Sequence, residues 1–142
     1  MKLYLDTNVF LGWFKKNIVN IREDKPISDT KTMIKLKSFD ATLYTSELSM
    51  IETVNYLKGS FSASKEEIDL LWNVLTDLYY IRIIPVQTEW ENIKNIVSKV
   101  SIKRKSVVDL LHLETAKKNR CRFATFDKEL KKLSWRYDIS FL

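Results

Sequence analysis

The chain has 142 residues, enough for one domain with a real core and too few for two comfortable ones. It is 45% hydrophobic and 30% charged, which excludes a disordered chain, and no apolar run approaches the ~20 residues of a membrane span. The formal net charge of +6 favours a polyanionic partner or a well-solvated surface. Cys121 is the one cysteine, so no internal disulfide is possible and a reducing, cytoplasmic home is the simplest fit. The first residues carry an acid, Asp6, inside the would-be apolar stretch and do not resemble a signal peptide. Two Gly and two Pro imply regular elements joined by short loops.

Leu3, Tyr4 and Leu5 form a short apolar run suited to a parallel strand covered on both faces. Asp6 then stands at the strand's carboxyl end, where open α/β sheets bind ligands, or else caps the helix that follows. Thr7 and Asn8 are good N-cap types, and Val9, Phe10, Trp13 and Phe14 continue with helical spacing. Lys15 to Lys25 is polar, breaks at Pro26, and is expected to be loop with some helix. Ser28 or Asp29 is the expected cap of a short helix carrying Met33, Ile34, Leu36 and Phe39. Residues 41–45 are a second strand. Ser46 then caps a helix with Leu48, Met50, Ile51, Val54 and Leu57, which Gly59 is expected to end, with Glu52 in its second turn.

Ser64 and Glu67 make a capping-box pattern that opens a clearly amphipathic helix, with Ile68, Leu71, Trp72, Leu75, Leu78 and Tyr79 on one face. Residues 81–86 are a third strand, and Pro85 hints at a sheet edge. Thr88 and Glu91 repeat the capping-box pattern before a helix presenting Trp90, Ile93, Ile96, Val97 and Val100. A basic loop, Lys103-Arg104-Lys105, precedes a helix capped by Ser106 and carrying Asp109 in its first turn, then Val108, Leu111, His112 and Ala116. Residues 122–126 are a fourth strand ending at Asp127, which can also cap a short helix through Leu133, and residues 138–142 are a last strand. Strand and helix alternate throughout, which implies an α/β domain with a mostly parallel sheet of about five strands and helices on both faces.

Asp6 and Asp127 each end a strand, while Glu52 and Asp109 each lie near a helix start, so all four can converge on one sheet edge. Taken singly each has a plain structural explanation, as a cap, a dipole partner or a surface residue. Together they would repel one another unless some kept protons or a divalent cation filled the site. Oxygen-only ligands favour Mg²⁺ or Mn²⁺ over zinc. Two ions about 3.5–4 Å apart would clamp a phosphodiester for hydrolysis, and one ion or two is left open.

On these residues the chain resembles a PIN domain, most closely the small stand-alone proteins that act as VapC-type toxins. Leu5-Asp6-Thr7-Asn8-Val9 resembles the opening motif, Thr45 to Glu52 the second block, Asp109 to Leu113 the third, and Ala124-Thr125-Phe126-Asp127 the fourth. The resemblance runs nearly end to end and implies one PIN-like domain over residues 1–142. It implies that Asp6, Glu52, Asp109 and Asp127 hold Mg²⁺ or Mn²⁺ and hydrolyse RNA, with Thr7, Asn8 and Thr125 orienting the carboxylates. It also implies a small antitoxin partner and a homodimer, with no membrane role. The third block departs from the family pattern at Glu114, where a small residue is usual, and helical geometry is expected to turn Glu114 toward solvent or a partner.

His112 stands one turn after Asp109, as a hydrogen-bonded core residue or as a ligand or proton shuttle. Lys103, Arg104 and Lys105 are candidate RNA contacts, and Lys117, Lys118, Arg120 and Arg122 form a second basic cluster, unless both are simply solvated faces. Trp13, Phe14, Trp72 and Trp90 fall on apolar faces and are expected in the core or in a dimer contact. Alternatives to a toxin ribonuclease are a PIN nuclease maturing rRNA or tRNA, a degenerate PIN fold that only binds RNA, and a non-enzymatic phosphoacceptor domain. The last lacks an acid at the end of the strand that closes on Pro85-Val86, and Asn8 argues against a haloacid-type phosphatase, which needs a second Asp there.

Overall fold

The computed structural model describes residues 1–99 and 104–132. Strands β1 (Lys2–Leu5), β2 (Thr42–Ser46), β3 (Arg82–Ile84) and β4 (Arg122–Ala124) form one parallel sheet in the order β3-β2-β1-β4. The described sheet therefore has four strands, and the expected strand at 138–142 falls outside the described residues. β3 lies at an edge, as Pro85 suggested. The helices are α1 (Thr7–Arg22), α2 (Lys31–Lys37), α3 (Glu47–Phe61), α4 (Lys65–Tyr79), α5 (Trp90–Lys99), α6 (Arg104–Lys118) and α7 (Lys128–Lys131).

The period-two alternation of β1 sorts the core into two layers. Leu3 and Leu5 point to one face, where α1, α2, α3 and α4 bury Phe10, Trp13, Phe14, Met33, Leu57 and Trp72. Tyr4 points to the other, where α5 and α6 supply Ile93, Leu110, Leu113 and Ala116. On the first face the rings of Phe10, Trp13, Phe14 and Trp72 meet edge-on or tilted at centroid distances of 4.9–6.0 Å, the arrangement their quadrupoles favour.

Several boundaries differ from the sequence expectation. α1 continues to Arg22 through the polar stretch, because Asn17 is buried and useful there. Its Nδ2 donates to the Trp13 and Ser28 carbonyls and its Oδ1 accepts from the Ser28 N–H, each at 2.9 Å. With Ser28 held this way, Thr30 caps α2 instead, accepting from the Met33 N–H at 3.3 Å. α3 runs straight through Gly59 and ends where Ser62 turns left-handed at φ 47°. The Ser64–Glu67 capping box forms on α4, but the second does not: the buried Thr88 hydroxyl has no hydrogen-bond partner among the described residues. α6 begins at Arg104, so Ser106 lies inside its first turn.

Ile34 is 56% exposed, Ile51 66%, Leu78 47% and Val97 43%, so these leave the core that helical spacing assigned them to, while Trp90, expected in the core or in a dimer contact, is 62% exposed and so stands outside the core. Glu114 goes the other way. It is buried to 1% exposure, and neither carboxylate oxygen has a hydrogen-bond partner among the described residues. The expectation of a solvent-facing Glu114 fails because α6 is enclosed around most of its girth: Leu110, His112, Leu113, Thr115 and Ala116 are buried too.

Phe14→Ala is expected to lower the free energy of unfolding by about 3–5 kcal/mol, the cost of emptying a fully packed aromatic site. Trp90→Ala should stay within about 0.5 kcal/mol. Urea midpoints at matched m-values measure both, and a large loss from Trp90→Ala would return that ring to the core.

Candidate active site

The carboxyl edge of the sheet is built by β1 handing its backbone to β4. The Asp6 N–H donates to the Ala124 carbonyl at 2.9 Å, which sets Asp6 beside Thr125. Asp6 is also the N-cap of α1: its Oδ1 accepts the Thr7 N–H at 2.8 Å, and the positive end of the helix faces the carboxylate. The two meanings weighed for Asp6 therefore coincide, since a cap at a strand end is also an acid at the ligand-binding edge. Thr125 Oγ1 donates to Asp6 Oδ2 at 2.7 Å and accepts from the Asp127 N–H at 3.0 Å. Asn8 bridges the same two segments, its Nδ2 donating to Thr125 Oγ1 at 3.2 Å and its Oδ1 accepting the Phe126 N–H at 3.2 Å.

Asp127 caps α7, its Oδ1 accepting from the Glu129 and Leu130 N–H groups at 2.9 and 3.3 Å. Glu52 comes from α3, and Thr7 Oγ1 donates to its Oε1 at 2.8 Å. Asp109 comes from the first half of α6. Asp6, Glu52, Asp109 and Asp127 all line one cavity of about 270 Å³, with Thr7, Asn8, Leu11 and Tyr56. Four residues separated by up to 121 positions thus share a pocket.

The electrostatics record the crowding. Burial pushes Asp109 up to about 6, helped by the negative charges of Asp6 and Asp127, while His112 opposes the shift. Burial also raises Asp6 from its ordinary value, only partly offset by His112 and by the Thr125 hydrogen bond. Burial would raise Glu52 as well, but the hydrogen bond and positive edge of His112, together with Thr7, hold it below the usual range.

The donor set is all oxygen and strongly negative, which fits a hard divalent cation such as Mg²⁺ or Mn²⁺. Among the described residues no three His, Cys, Asp or Glu side chains are already drawn into the arrangement of a metal centre. What the cavity offers is half-buried, crowded carboxylate charge: burial first, and the neighbouring acids second, raise Asp109.

His112 is fully buried. Its Nδ1 lies 2.7 Å from Tyr4 Oη, and its Nε2 lies 2.5 Å from Glu52 Oε1 and 3.9 Å from Asp6 Oδ1. Tyr4 and Ser46, which complete this chain at 2.7 Å, escaped sequence reasoning: Tyr4 read as core and Ser46 as a cap. Tyr56 was also missed, although it follows Glu52 by four residues and so shares its face of α3. Tyr56 lines the cavity, and Lys15 Nζ stands over its ring at 5.1 Å. Of the basic loop, Lys103 lies outside the described residues, as do the side chains of Arg104 and Lys105. The second basic cluster sits at the wrong edge for a site contact. Lys117 and Lys118 end α6 and Arg122 begins β4, at the far end of the sheet from Asp6 and Asp127, and Lys118 pairs with Glu89.

No curated protein sequence matches the chain. Among solved structures the fold is similar to a chain of VapBC2 from Rickettsia felis bound to a DNA fragment from its promoter. The TM-score is 0.71 at 15% identity, covering 100% of this chain and 98% of that one. VapBC-1 from nontypeable Haemophilus influenzae matches with TM-score 0.58 at 16% identity, covering 100% and 97%. FitAcB from Neisseria gonorrhoeae matches with TM-score 0.55 at 20% identity, covering 99% and 96%. The sequence itself matches the PIN domain over residues 3–136, and the chain belongs to the PIN domain family.

Proposed function

We propose that the protein is a divalent-metal-dependent endoribonuclease acting as the toxin of a toxin–antitoxin pair. The observation that carries this reading is the meeting of four carboxylates from β1, α3, α6 and the end of β4 in one cavity at the carboxyl edge. Membership of the PIN family, whose domains are generally nucleases, supports hydrolysis. The likeness to chains from VapBC complexes supports a small antitoxin as partner and, with it, a toxin role. The net charge of +6 suits an RNA substrate. Self-association belongs to the same reading.

In this assignment Asp6, Glu52, Asp109 and Asp127 hold Mg²⁺ or Mn²⁺. A bound ion of this kind neutralises phosphate charge and supplies an activated water. Thr125 and the Thr7 N–H fix both oxygens of Asp6, Thr7 and His112 fix one oxygen of Glu52, and the α7 amides fix one oxygen of Asp127. The carboxylates thus enter the reaction already oriented, which lowers the reorganisation needed at the transition state. Lys15 is exposed and stands over the ring of Tyr56, which lines the cavity, and in this reading it meets an RNA phosphate entering from that side.

Asp6→Asn is expected to abolish Mn²⁺-dependent cleavage of total RNA, read by mapping new 5′ ends, while the circular dichroism spectrum stays native. An active variant would count against the assignment. Lys15→Ala should reduce the slope of log kcat/KM against log salt by about 0.7, the share of one contact to a single strand. An unchanged slope removes Lys15 from the substrate path.

Asp109 carries the pH signature. Its folded value of about 6 lies above the ordinary 3.8, so its carboxylate destabilises the metal-free fold. That cost is fully present above about pH 6 and disappears as pH falls below the unfolded value. Asp109→Asn is therefore expected to raise the Tm of metal-free protein at pH 8 by about 3–6 °C, with the gain fading by pH 4. A thermal scan at both pH values checks the sign, and a lower Tm at pH 8 would contradict it.

A further inference from the structure

The hydrogen bonds around His112 form a series that admits few proton arrangements. The imidazole is fully buried, and so is Tyr4. Nδ1 faces the Tyr4 hydroxyl, that hydroxyl faces Ser46 Oγ, and Nε2 faces a Glu52 oxygen. A carboxylate oxygen only accepts, so Nε2 must carry a hydrogen for its short contact with Glu52 Oε1 to be attractive. Two patterns satisfy every atom. In one, Ser46 donates to Tyr4 and Tyr4 donates to Nδ1. In the other, Nδ1–H donates to Tyr4 and Tyr4 donates to Ser46. Both place a hydrogen on Nε2. The Ser46 side chain gives up its usual cap bond to α3, which it does not make, in order to anchor this series.

We propose that His112 is the positioning residue of Glu52, an Nε2–H donor locked from behind by Tyr4 and Ser46, and that it takes no part as a metal ligand. Both nitrogens are spent on protein partners, and His112 is absent from the walls of the acidic cavity. Glu52 Oε1 already receives two hydrogen bonds, from Thr7 and His112, which leaves Oε2 as its free oxygen. Nε2 lies 3.9 Å from Asp6 Oδ1, beyond hydrogen-bond reach, so its hydrogen belongs to Glu52 alone. The inference rests on the metal-nuclease reading for what Glu52 holds, and on geometry alone for how Glu52 is held.

Nitrogen NMR on ¹⁵N-histidine-labelled protein, metal-free and saturated with Mg²⁺, reads the imidazole directly. A protonated, pyrrole-type Nε2 is expected in both states. A bare Nε2, or one that loses its proton as Mg²⁺ enters, overturns the proposal. Calorimetric titration with Mn²⁺ tests the consequence. His112→Leu should weaken Mn²⁺ binding by about 10–100-fold, the usual effect of removing a group that orients a ligand. His112→Gln, which restores an N–H donor, should recover most of that loss. Tyr4→Phe keeps the ring in the core but unlocks Nδ1, and should weaken Mn²⁺ binding even if His112→Leu fails to fold. Wild-type affinity in His112→Leu, or in Tyr4→Phe where His112→Leu does not fold, overturns the proposal. A wild-type protein that takes up no Mn²⁺ sinks the nuclease reading itself, and the imidazole signal, which needs no metal, tells the two failures apart.

Discussion

Like charges packed at a sheet edge constrain everything around them. Removing a carboxylate from water is costly unless donors replace the lost hydration, and neighbouring carboxylates add repulsion. The carboxyl edge of this sheet meets that demand unevenly. Asp6 receives the α1 amide and the Thr125 hydroxyl, Glu52 receives Thr7 and His112, and Asp127 receives two amides of α7. Asp109 is pushed up to about 6 by burial and by the charge of its neighbours. Asp6 is raised as well, by its own burial, so two of the four carboxyls carry the unrelieved cost of crowding.

The two-layered core is what makes such crowding tolerable. β1 is flanked by β2 and β4 in the described sheet, with buried side chains on both faces. Leu3 and Leu5 are clamped by the aromatic cluster of α1 and α4, and Tyr4 stacks on Phe123 with its centroid 5.3 Å away. Asp6 is therefore carried at the end of a strand packed on both faces. Polar groups within the core serve the same end. Tyr4 gives its ring to packing and its hydroxyl to His112, so one residue links the hydrophobic layer to the acidic cavity. The likeness of the fold to chains with 15–20% identity fits this division of labour, since apolar volume and pattern can be kept by many sequences.

Much of the fold was legible because it depends on local rules. The short apolar run of β1, the capping box at Ser64 and the apolar stripe of α4 are written in neighbouring residues. Two of the misplaced boundaries, the end of α1 and the start of α2, share a cause: a polar residue put to use by something distant. Asn17 extends α1 because it clasps Ser28, and Thr30 rather than Ser28 caps α2 because Ser28 is already taken. Helical spacing alone placed Ile51 and Leu78 inside, yet spacing says which residues share a face and not how much of that face a neighbour covers. Glu114 is the reverse case, a charged residue drawn inside because its helix is enclosed.

By itself the sequence determined the α/β alternation, the four acids and their places at strand ends and helix starts, since these follow from residue type and from spacing along the chain. Only the tertiary structure decided that β1 hydrogen-bonds to β4, which sets Asp6 against Thr125, and that Tyr4, Ser46 and His112 line up behind Glu52. Those contacts join residues 42 to 119 positions apart. No local propensity encodes a distance of that kind; it exists only once the two layers of helices have packed against the sheet.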